Sequence, residues 1–539
     1  MWTKLRRLLR NDRGRLEQQA GYLLRQGTAV LALLATAAPA WAQDEDQDQA
    51  DADAEEGTEA ETKPDTGLPR LGQAPGEPQV RSAPPAIPFG VPPSKSYENV
   101  LDFHGYLLVP LRASVLQRDD PGPAQHKTAL HSPPLIPQRL RGFEYTGVVP
   151  GPYVQLDFAY GNEVVSGTAI ISSRAVTDGV AIYNPVEQLG VNDAFIGVNL
   201  TKTMKTPFLM RLGAFTNRYG VMGAYDAGRY GTPLIARVNA VGENLEVGAK
   251  LGEKATLVVE QGIAGQLGRP PEGMLPAGWN DFADPNVGAS FVSHIHGGLN
   301  VADTFQLGLH YLSAFTQDDR VGDGSVPDGR ITVLGADARL TAGRAGHLYV
   351  GGARTIATNA AYVSGVIEIL NARGGPELME EYLGENSQGD GALTTFGAQY
   401  DLSLSRLIYG DYFRGDSPDL IMSLFGIGTK VKSDDPEADG TLKIKGGAEA
   451  TYNVASWFGV SGRYDHVRLD ATENRQAFSI QTARLLFHTD WQSRDEFALQ
   501  YSHFDYGSQV YVYTGYPPEE DREAKPDQHV FVLSGTFWW

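Results

Sequence analysis

The sequence contains no cysteine, so no disulfide can staple it and no thiolate can ligate a metal or act as a nucleophile. Beyond its first forty residues it also lacks any apolar run of about 20 residues, the length a membrane-crossing helix needs, which excludes a helical membrane protein. Basic residues are in deficit: 45 Lys and Arg against 65 Asp and Glu give a formal net charge of -20, the wrong sign for a nucleic-acid binder. No His-Glu-x-x-His occurs, and no glycine-rich phosphate loop precedes a helix and lysine, so neither signature supplies an enzyme class. What is abundant is glycine, tyrosine and phenylalanine, with 62, 24 and 21 copies in 539 residues. From Lys95 onward they fall in short alternating segments, the weak per-segment signature of a membrane-spanning β-barrel.

The amino-terminal residues address the chain for export. Lys4, Arg6, Arg7, Arg10 and Arg25 form a basic region, Thr28 to Ala38 is a short apolar run, and Ala40-Trp41-Ala42 is a small-x-small cleavage site. Residues 1–42 are thus expected to be a signal peptide, rather than an uncleaved anchor, with the mature chain beginning near Gln43. Residues 43–93 differ in kind: twelve acids against three bases, then a stretch dense in proline and glycine from Pro64 to Pro93. Such a composition cannot bury a core, and the expectation is a disordered periplasmic leader, either an interaction tail or a solvated spacer. The remainder, 94–539, is expected to be one outer-membrane pore domain.

Alternation supports that assignment strand by strand. Leu442, Ile444, Ala448, Ala450, Tyr452 and Val454 share one parity, while Lys443, Lys445, Glu449, Thr451 and Asn453 share the other. The same apolar-out, polar-in pattern holds for Val154, Leu156, Phe158 and Tyr160 opposite Gln155 and Asp157, and for Phe305, Leu307, Leu309 and Tyr311 opposite Gln306 and His310. Exported without disulfides, such a chain would take its stability from a closed barrel, in which every strand has two neighbours.

Connections must alternate between short periplasmic turns and longer outer loops. Short turns are expected at Gly161-Asn162, Thr201 to Thr206, Gly252 to Lys254, Ala302-Asp303, Gly343 to Gly346, Ser403 to Ser405, Ala455-Ser456 and Asp490 to Arg494. Longer stretches lie between them, including Arg218 to Val241 and Ala360 to Gly389; Tyr362 to Leu383 could hold a short helix without altering the barrel. Keeping both termini periplasmic makes Arg414 to Gly440 one long outer loop, although Leu420 to Val431 could itself be extended. The fold class is then all-β, a transmembrane antiparallel barrel of about eighteen strands, with sixteen as the alternative.

Parity in the first strand puts Asp102, His104, Tyr106 and Leu108 on the more polar face, expected to line the lumen. The last strand puts Phe531, Leu533, Phe537 and Trp539 toward lipid, and Ser534, Thr536 and Trp538 inward. Tyr106 and Trp538 therefore converge on the two strands that close the barrel. An inward aromatic is either a stacking surface for the apolar face of a sugar ring or, for Trp538, part of the interfacial girdle.

Leu101-Asp102-Phe103-His104-Gly105-Tyr106 resembles the opening strand of the maltoporin-type sugar porins, and the closing Phe537-Trp538-Trp539 is similar to their paired-tryptophan end. Asn192-Asp193-Ala194-Phe195, followed by Arg218 and Asp226, is similar in layout to that family's third-loop region. The resemblance implies an eighteen-strand homotrimer for carbohydrate diffusion, with Tyr106 and Trp538 on an aromatic slide and Arg218 and Asp226 in a flanking polar track. Leu108 stands where the family usually has a track arginine, and Gly220 where it has an acid.

Other chemistries are weaker in the sequence. Arg218 to Gly231 is rich in glycine and mixed charge; folded inward it would set a constriction through Asp226, Arg229 and Tyr230, and otherwise it is an ordinary surface loop. His294 and His296 share a strand face with His310 on the next strand, but lack a clear third metal ligand. Ser502 and His503 are adjacent in one strand, so they face opposite sides and cannot form a catalytic pair. The expected protein is a non-enzymatic diffusion channel without cofactor or metal for small hydrophilic solutes, with sugars as the class the resemblance implies. A general or phosphate-type porin and an adhesin or structural barrel are the alternatives. Expected partners are the bilayer and lipopolysaccharide of the outer membrane, the barrel-assembly machinery and further copies of the chain, and no nucleic acid.

Overall fold

The computed structural model describes residues 100–115, 153–174, 189–220, 235–266, 289–317, 328–363, 367–373, 378–409, 418–471, 475–489, 495–505, 511–512, 523–524 and 528–538, apart from 163, 205, 253, 303, 343–344, 371, 379–381, 385–386 and 388. The expected signal peptide, leader and constriction residues Asp226, Arg229 and Tyr230 lie outside the described residues.

Eighteen long strands make the wall: β1 (Val100–Val115), β2 (Tyr153–Gly161), β3 (Val165–Arg174), β4 (Leu189–Asn199), β5 (Phe208–Tyr219), β6 (Ala236–Leu251), β7 (Ala255–Gln266), β8 (Ala289–Val301), β9 (Phe305–Gln317), β10 (Arg330–Thr341), β11 (His347–Thr358), β12 (Gly391–Ser403), β13 (Asp419–Ser433), β14 (Leu442–Ala455), β15 (Phe458–Asp470), β16 (Arg475–His488), β17 (Glu496–Asp505) and β18 (Gln528–Trp538). Each pairs antiparallel with the next. The last returns to the first, with Tyr106 opposite Trp538 and Val115 opposite His529. The ring of hydrogen-bonded ladders is complete, which is the condition for placing β-structure in hydrocarbon. Among the described residues no helix is long and apolar enough to cross a membrane.

The period-two pattern sorts side chains as the alternation predicts. Leu101, Phe103, Tyr160, Leu309, Phe396, Leu424, Ile444, Tyr452 and Phe537 project outward, with Leu101 64% and Phe396 62% exposed. A ring of exposed leucine, isoleucine and phenylalanine on this scale is unstable in water and suits lipid. At the short-turn end Trp457, Phe458, Phe487 and Phe497 form an aromatic patch, with successive ring centroids from 5.4 to 6.4 Å apart. Large aromatics gather at such a boundary because one side of the ring is apolar and the other meets water.

Two expectations are corrected. Arg414 to Gly440 is not one outer loop: β13 runs through it as a fifteen-residue strand. Its pattern was faint because Ile421, Ile427 and Val431 are apolar on the inner face as well, where all three are buried. The outer connection shrinks to the tip 434–441, where Ala438 and Asp439 donate backbone hydrogen bonds to the Asp435 carbonyl and Gly440 takes φ +80°. Correspondingly, the short turn expected at Ser403 to Ser405 opens into a helix, α1 (Leu404–Tyr409). Asp419 holds its start by accepting from the Ser403 hydroxyl at 2.6 Å and the Ser405 N–H at 2.7 Å. The strand count stays at eighteen because one strand replaces another.

Tyr362 to Leu383 has helical residues at Leu378, Tyr382 and Leu383 and leaves the ring of eighteen strands unaltered, while it also fills the interior. After β11 the chain makes a 3-10 turn at Ala360–Tyr362, a short strand at Ile367–Ile369 and a return at Ala372–Arg373. Ile367 and Glu368 pair with Val238 and Arg237 of β6. Pairing of β6 with β7 begins only at Val241, so the first residues of β6 overhang its neighbour. A strand edge left open this way attracts another strand, and the segment from across the barrel fills it. Ile367, Ile369, Leu370, Leu378, Tyr382 and Leu383 bury themselves with inner-face residues Val292, Leu312, Ile331, Val333, Leu393 and Val431.

Candidate functional site

The inner face divides along the strand axis. Toward the long-loop end it is apolar, with Val238, Val292, Leu312, Val333, Val467, Phe504 and Val530 buried. Toward the middle it becomes polar and charged on two walls.

On the wall from β5 to β10, Glu260 of β7 is the hub. It accepts hydrogen bonds from the Asn217 amide and the Tyr219 hydroxyl of β5, both at 3.2 Å, and lies 3.4 Å from His294 Nε2 of β8. Arg211 donates to Asn217 Oδ1 at 2.6 Å, fixing that amide's orientation. His296 is in register with Glu260 on one side and His310 on the other. The two imidazole Nδ1 atoms are 2.9 Å apart, and Asp337 of β10 contacts His310 Nε2. Tyr219 reaches over the group, its ring 5.3 Å from His294 and 5.8 Å from His310. Close approach is permitted by Gly262, where a Cβ would overlap the His294 ring. Among the described residues no group of three His, Cys, Asp or Glu is arranged to hold a metal ion.

On the opposite wall, from β12 to β17, register places charges across from one another. Glu449 of β14 faces Arg463 of β15, whose guanidinium grips Asp465 in a two-pronged contact at 2.7 and 2.6 Å and stacks over Phe425 at 5.2 Å. Arg484 of β16 reaches Glu449 at 3.3 Å and Glu496 at 3.8 Å. Such a fork of N–H donors is pre-shaped for oxygen pairs. Nearby, Asp401 accepts from the Gln399 amide at 3.0 and 3.1 Å and from the Ser423 hydroxyl. These donors and acceptors of both signs hold one another in a fixed polar ladder along this wall.

Tyr106 and Trp538 are register partners across the closing seam. Arg218 pairs with Arg237 and is out of step with Asn217 and Tyr219, the β5 residues whose side chains are buried inside. Ile235, just before β6, is 1% exposed and lies against Gly335 on β10. Ser502 and His503 do face opposite sides. Ser502 is buried with its hydroxyl 2.9 Å from Thr482, while His503 stacks on His529 at 4.7 Å. Residues such as Tyr219, Glu260, Asp337, Asp401 and Arg484 escaped sequence analysis because their grouping depends on register between strands.

No family model and no curated protein matches the chain. Solved structures with related shape are outer-membrane proteins: OmpT of Vibrio cholerae at 11% identity and TM-score 0.37, covering 83% of this chain and 100% of that one; OccAB2 of Acinetobacter baumannii at 9% and 0.39, covering 81% and 98%; and Wzi of Escherichia coli, described as a carbohydrate-binding β-barrel involved in capsule assembly, at 9% and 0.37, covering 80% and 84%.

Proposed function

We propose that this protein is an outer-membrane channel for passive diffusion of small hydrophilic solutes, with carbohydrates as its favoured class. The observation that carries the proposal is the two-sided wall: exposed apolar side chains outside, and half-buried Glu260 with buried Glu449, Arg463, Arg484 and Asp401 inside. Membrane structural barrels need the first property. Conduction of polar solutes needs the second.

Carbohydrate preference rests on Tyr106 and Trp538, proposed as a stacking pair at the seam, with neighbouring charged groups exchanging hydrogen bonds with sugar hydroxyls. Purified protein in a planar bilayer should show stepped conductance that added oligosaccharide blocks. Tyr106→Ala with Trp538→Ala should weaken that block at least several-fold while leaving open conductance equal or larger. Unchanged block would remove the sugar preference and leave a general channel.

The trimer belongs to this proposal too. Glu243 of β6 accepts from Gln261 of β7 at 2.7 Å, at the outward parity of Val241 and Ile263, which are 61% and 41% exposed. A carboxylate facing lipid is costly, and a neighbouring subunit relieves that cost. Glu243→Ala should lower the temperature at which the oligomer dissociates on semi-native gels; no change would place the contact elsewhere.

A second function is favoured by the segment packed inside β6 to β13. A barrel filled at its long-loop end suits an adhesin or structural role, in which the surface loops do the work. Bilayers in which purified, folded protein conducts no ions would decide for it.

A further inference from the structure

The outward face of β10 to β15 is apolar or small along most of its height, then changes abruptly toward the long-loop end. There it carries Arg330, Arg354, Lys430, Lys432 and Arg468, all exposed, against a single acid, Asp470. This is the reverse of a chain with formal charge -20. The acids nearby, Asp434, Glu437 and Asp439, sit beyond the strand ends on the tip 434–441.

Register brings the cations to nearly one level. Arg354 lies opposite Thr394, Thr394 opposite Lys430, and Lys430 opposite Leu442. Arg468 lies opposite Ile444, one pleat away on that face, and Lys432 one pleat beyond Lys430. Arg354 and Lys430 are two strands apart, about 10 Å at a spacing of about 4.8 Å. The row also stands at a definite height. From Phe458, in the aromatic patch at the short-turn end, to Arg468 on the same strand is about 33 Å at about 3.3 Å per residue. A strand tilt of about 40° converts this to about 25 Å along the barrel axis, the usual height of the apolar band. The cations therefore begin where hydrocarbon ends.

A row of long basic side chains at that height fits phosphate held at the membrane surface. Guanidinium pairs with phosphate oxygens in a two-pronged geometry, and the aliphatic stems of lysine and arginine lie along the apolar band while the charge reaches the headgroup. We infer that the rim formed by Arg354, Lys430, Lys432 and Arg468 binds the phosphates of the outer leaflet's phosphorylated glycolipid, lipid A. The inference rests on the proposed outer-membrane location and names a partner for its long-loop rim.

The test uses the full mature chain reconstituted in phosphatidylcholine vesicles containing either diphosphoryl lipid A or its dephosphorylated form. Lipid retained after detergent extraction and affinity purification is quantified by mass spectrometry. Wild-type protein should retain the diphosphoryl lipid at least tenfold over the dephosphorylated one. The variant Arg354→Gln, Lys430→Gln, Lys432→Gln, Arg468→Gln should lose this preference, the ratio of the two retained lipids falling at least tenfold to near one, since each basic residue near an anionic surface contributes to the attraction. Heat-modifiable gel mobility and unitary conductance of the variant should stay at wild-type values, since these side chains point away from the lumen.

Equal retention of both lipids by wild-type protein, or undiminished preference in the variant, overturns the inference. So does phosphatidylglycerol competing as well as lipid A, which would make the rim a general anionic-lipid contact. Loss of the oligomer in the variant would instead assign this face to a subunit interface. Failure to insert into any vesicle would count against the membrane channel itself, a separate outcome from insertion without lipid discrimination.

Discussion

Arg463 shows what single residues contribute to the wall. Its guanidinium holds Asp465 in two contacts and stands 3.8 Å from Glu449, all three side chains being at most 5% exposed. Removing the cation takes both of these contacts from Asp465 and leaves Glu449 to Arg484, and breaking a buried pair in this manner typically costs about 3 kcal/mol. Arg463→Ala should therefore lower the unfolding midpoint in urea far more than Arg354→Ala, whose exposed position implies a change below about 1 kcal/mol. Equal effects would mean that the inner ladder is fully solvated. Gly335 makes a different point. A Cβ there would stand 2.7 Å from Ile235 Cδ1, so Gly335→Val should overpack the interior by about 1–3 kcal/mol. Shortening the opposing side chain with Ile235→Ala should recover part of that loss in a double-mutant cycle. The ladder residues were individually visible in the sequence as interspersed charges, but partnership was not. Glu449 meets Arg463 only because the two-residue turn at Ser456-Trp457 sets their register.

Among the elements, the segment from Ala360 to Asp390 is the one that would limit the proposed conduction. It is pinned at its base, where the Asn359 N–H donates to Asp390 at 2.8 Å. It is pinned by pairing at Ile367 and Glu368, and at its return, where the Ser433 hydroxyl donates to the Leu383 carbonyl and Lys443 lies over the Tyr382 ring at 4.4 Å. Replacing residues 364–388 by a short Gly-Ser linker should raise unitary conductance in planar bilayers. Ile369→Asp, which places a charge in the apolar packing, should make the current noisier without changing the strand content measured by circular dichroism. If neither trace differs from wild type, the segment does not limit the pore. Its inward course had no local signature: Tyr362 to Leu383 reads as a short helix within a loop, and its partner strand lies far earlier in the chain. The strand β13 was obscured for a related reason, since apolar residues on both of its faces hide the period of two.

At the scale of the whole molecule, the class of fold was legible in the sequence, because alternation needs only neighbouring residues and a closed barrel needs it in every strand. Leu442 to Val454 and Phe305 to Tyr311 take the faces that their parity predicts, with Lys445 and His310 buried and Ile444 and Leu309 exposed. Membrane insertion gives this alternation a depth-dependent consequence. Leu424 is 51% exposed on the outward face near mid-height, so Leu424→Arg should cost about 2–4 kcal/mol when unfolding is measured in lipid vesicles, whereas Leu442→Arg at the rim should cost about 0–1 kcal/mol. A flat response with depth would contradict a lipid-facing wall.

The seam between β1 and β18 also constrains how the protein comes into being. Residues 106 and 538 meet in the finished wall, so the chain cannot close until its last strand is delivered, and contacts of such long sequence separation form slowly. Until then β1 and β17 are open edges that can recruit any extended peptide, including another copy. Delivery from the amino terminus onward would prolong that exposure, making an escort during assembly a matter of kinetics rather than of final stability. A chain lacking β18 should then fail by aggregation, because its two unmatched edges remain free to pair with each other between molecules.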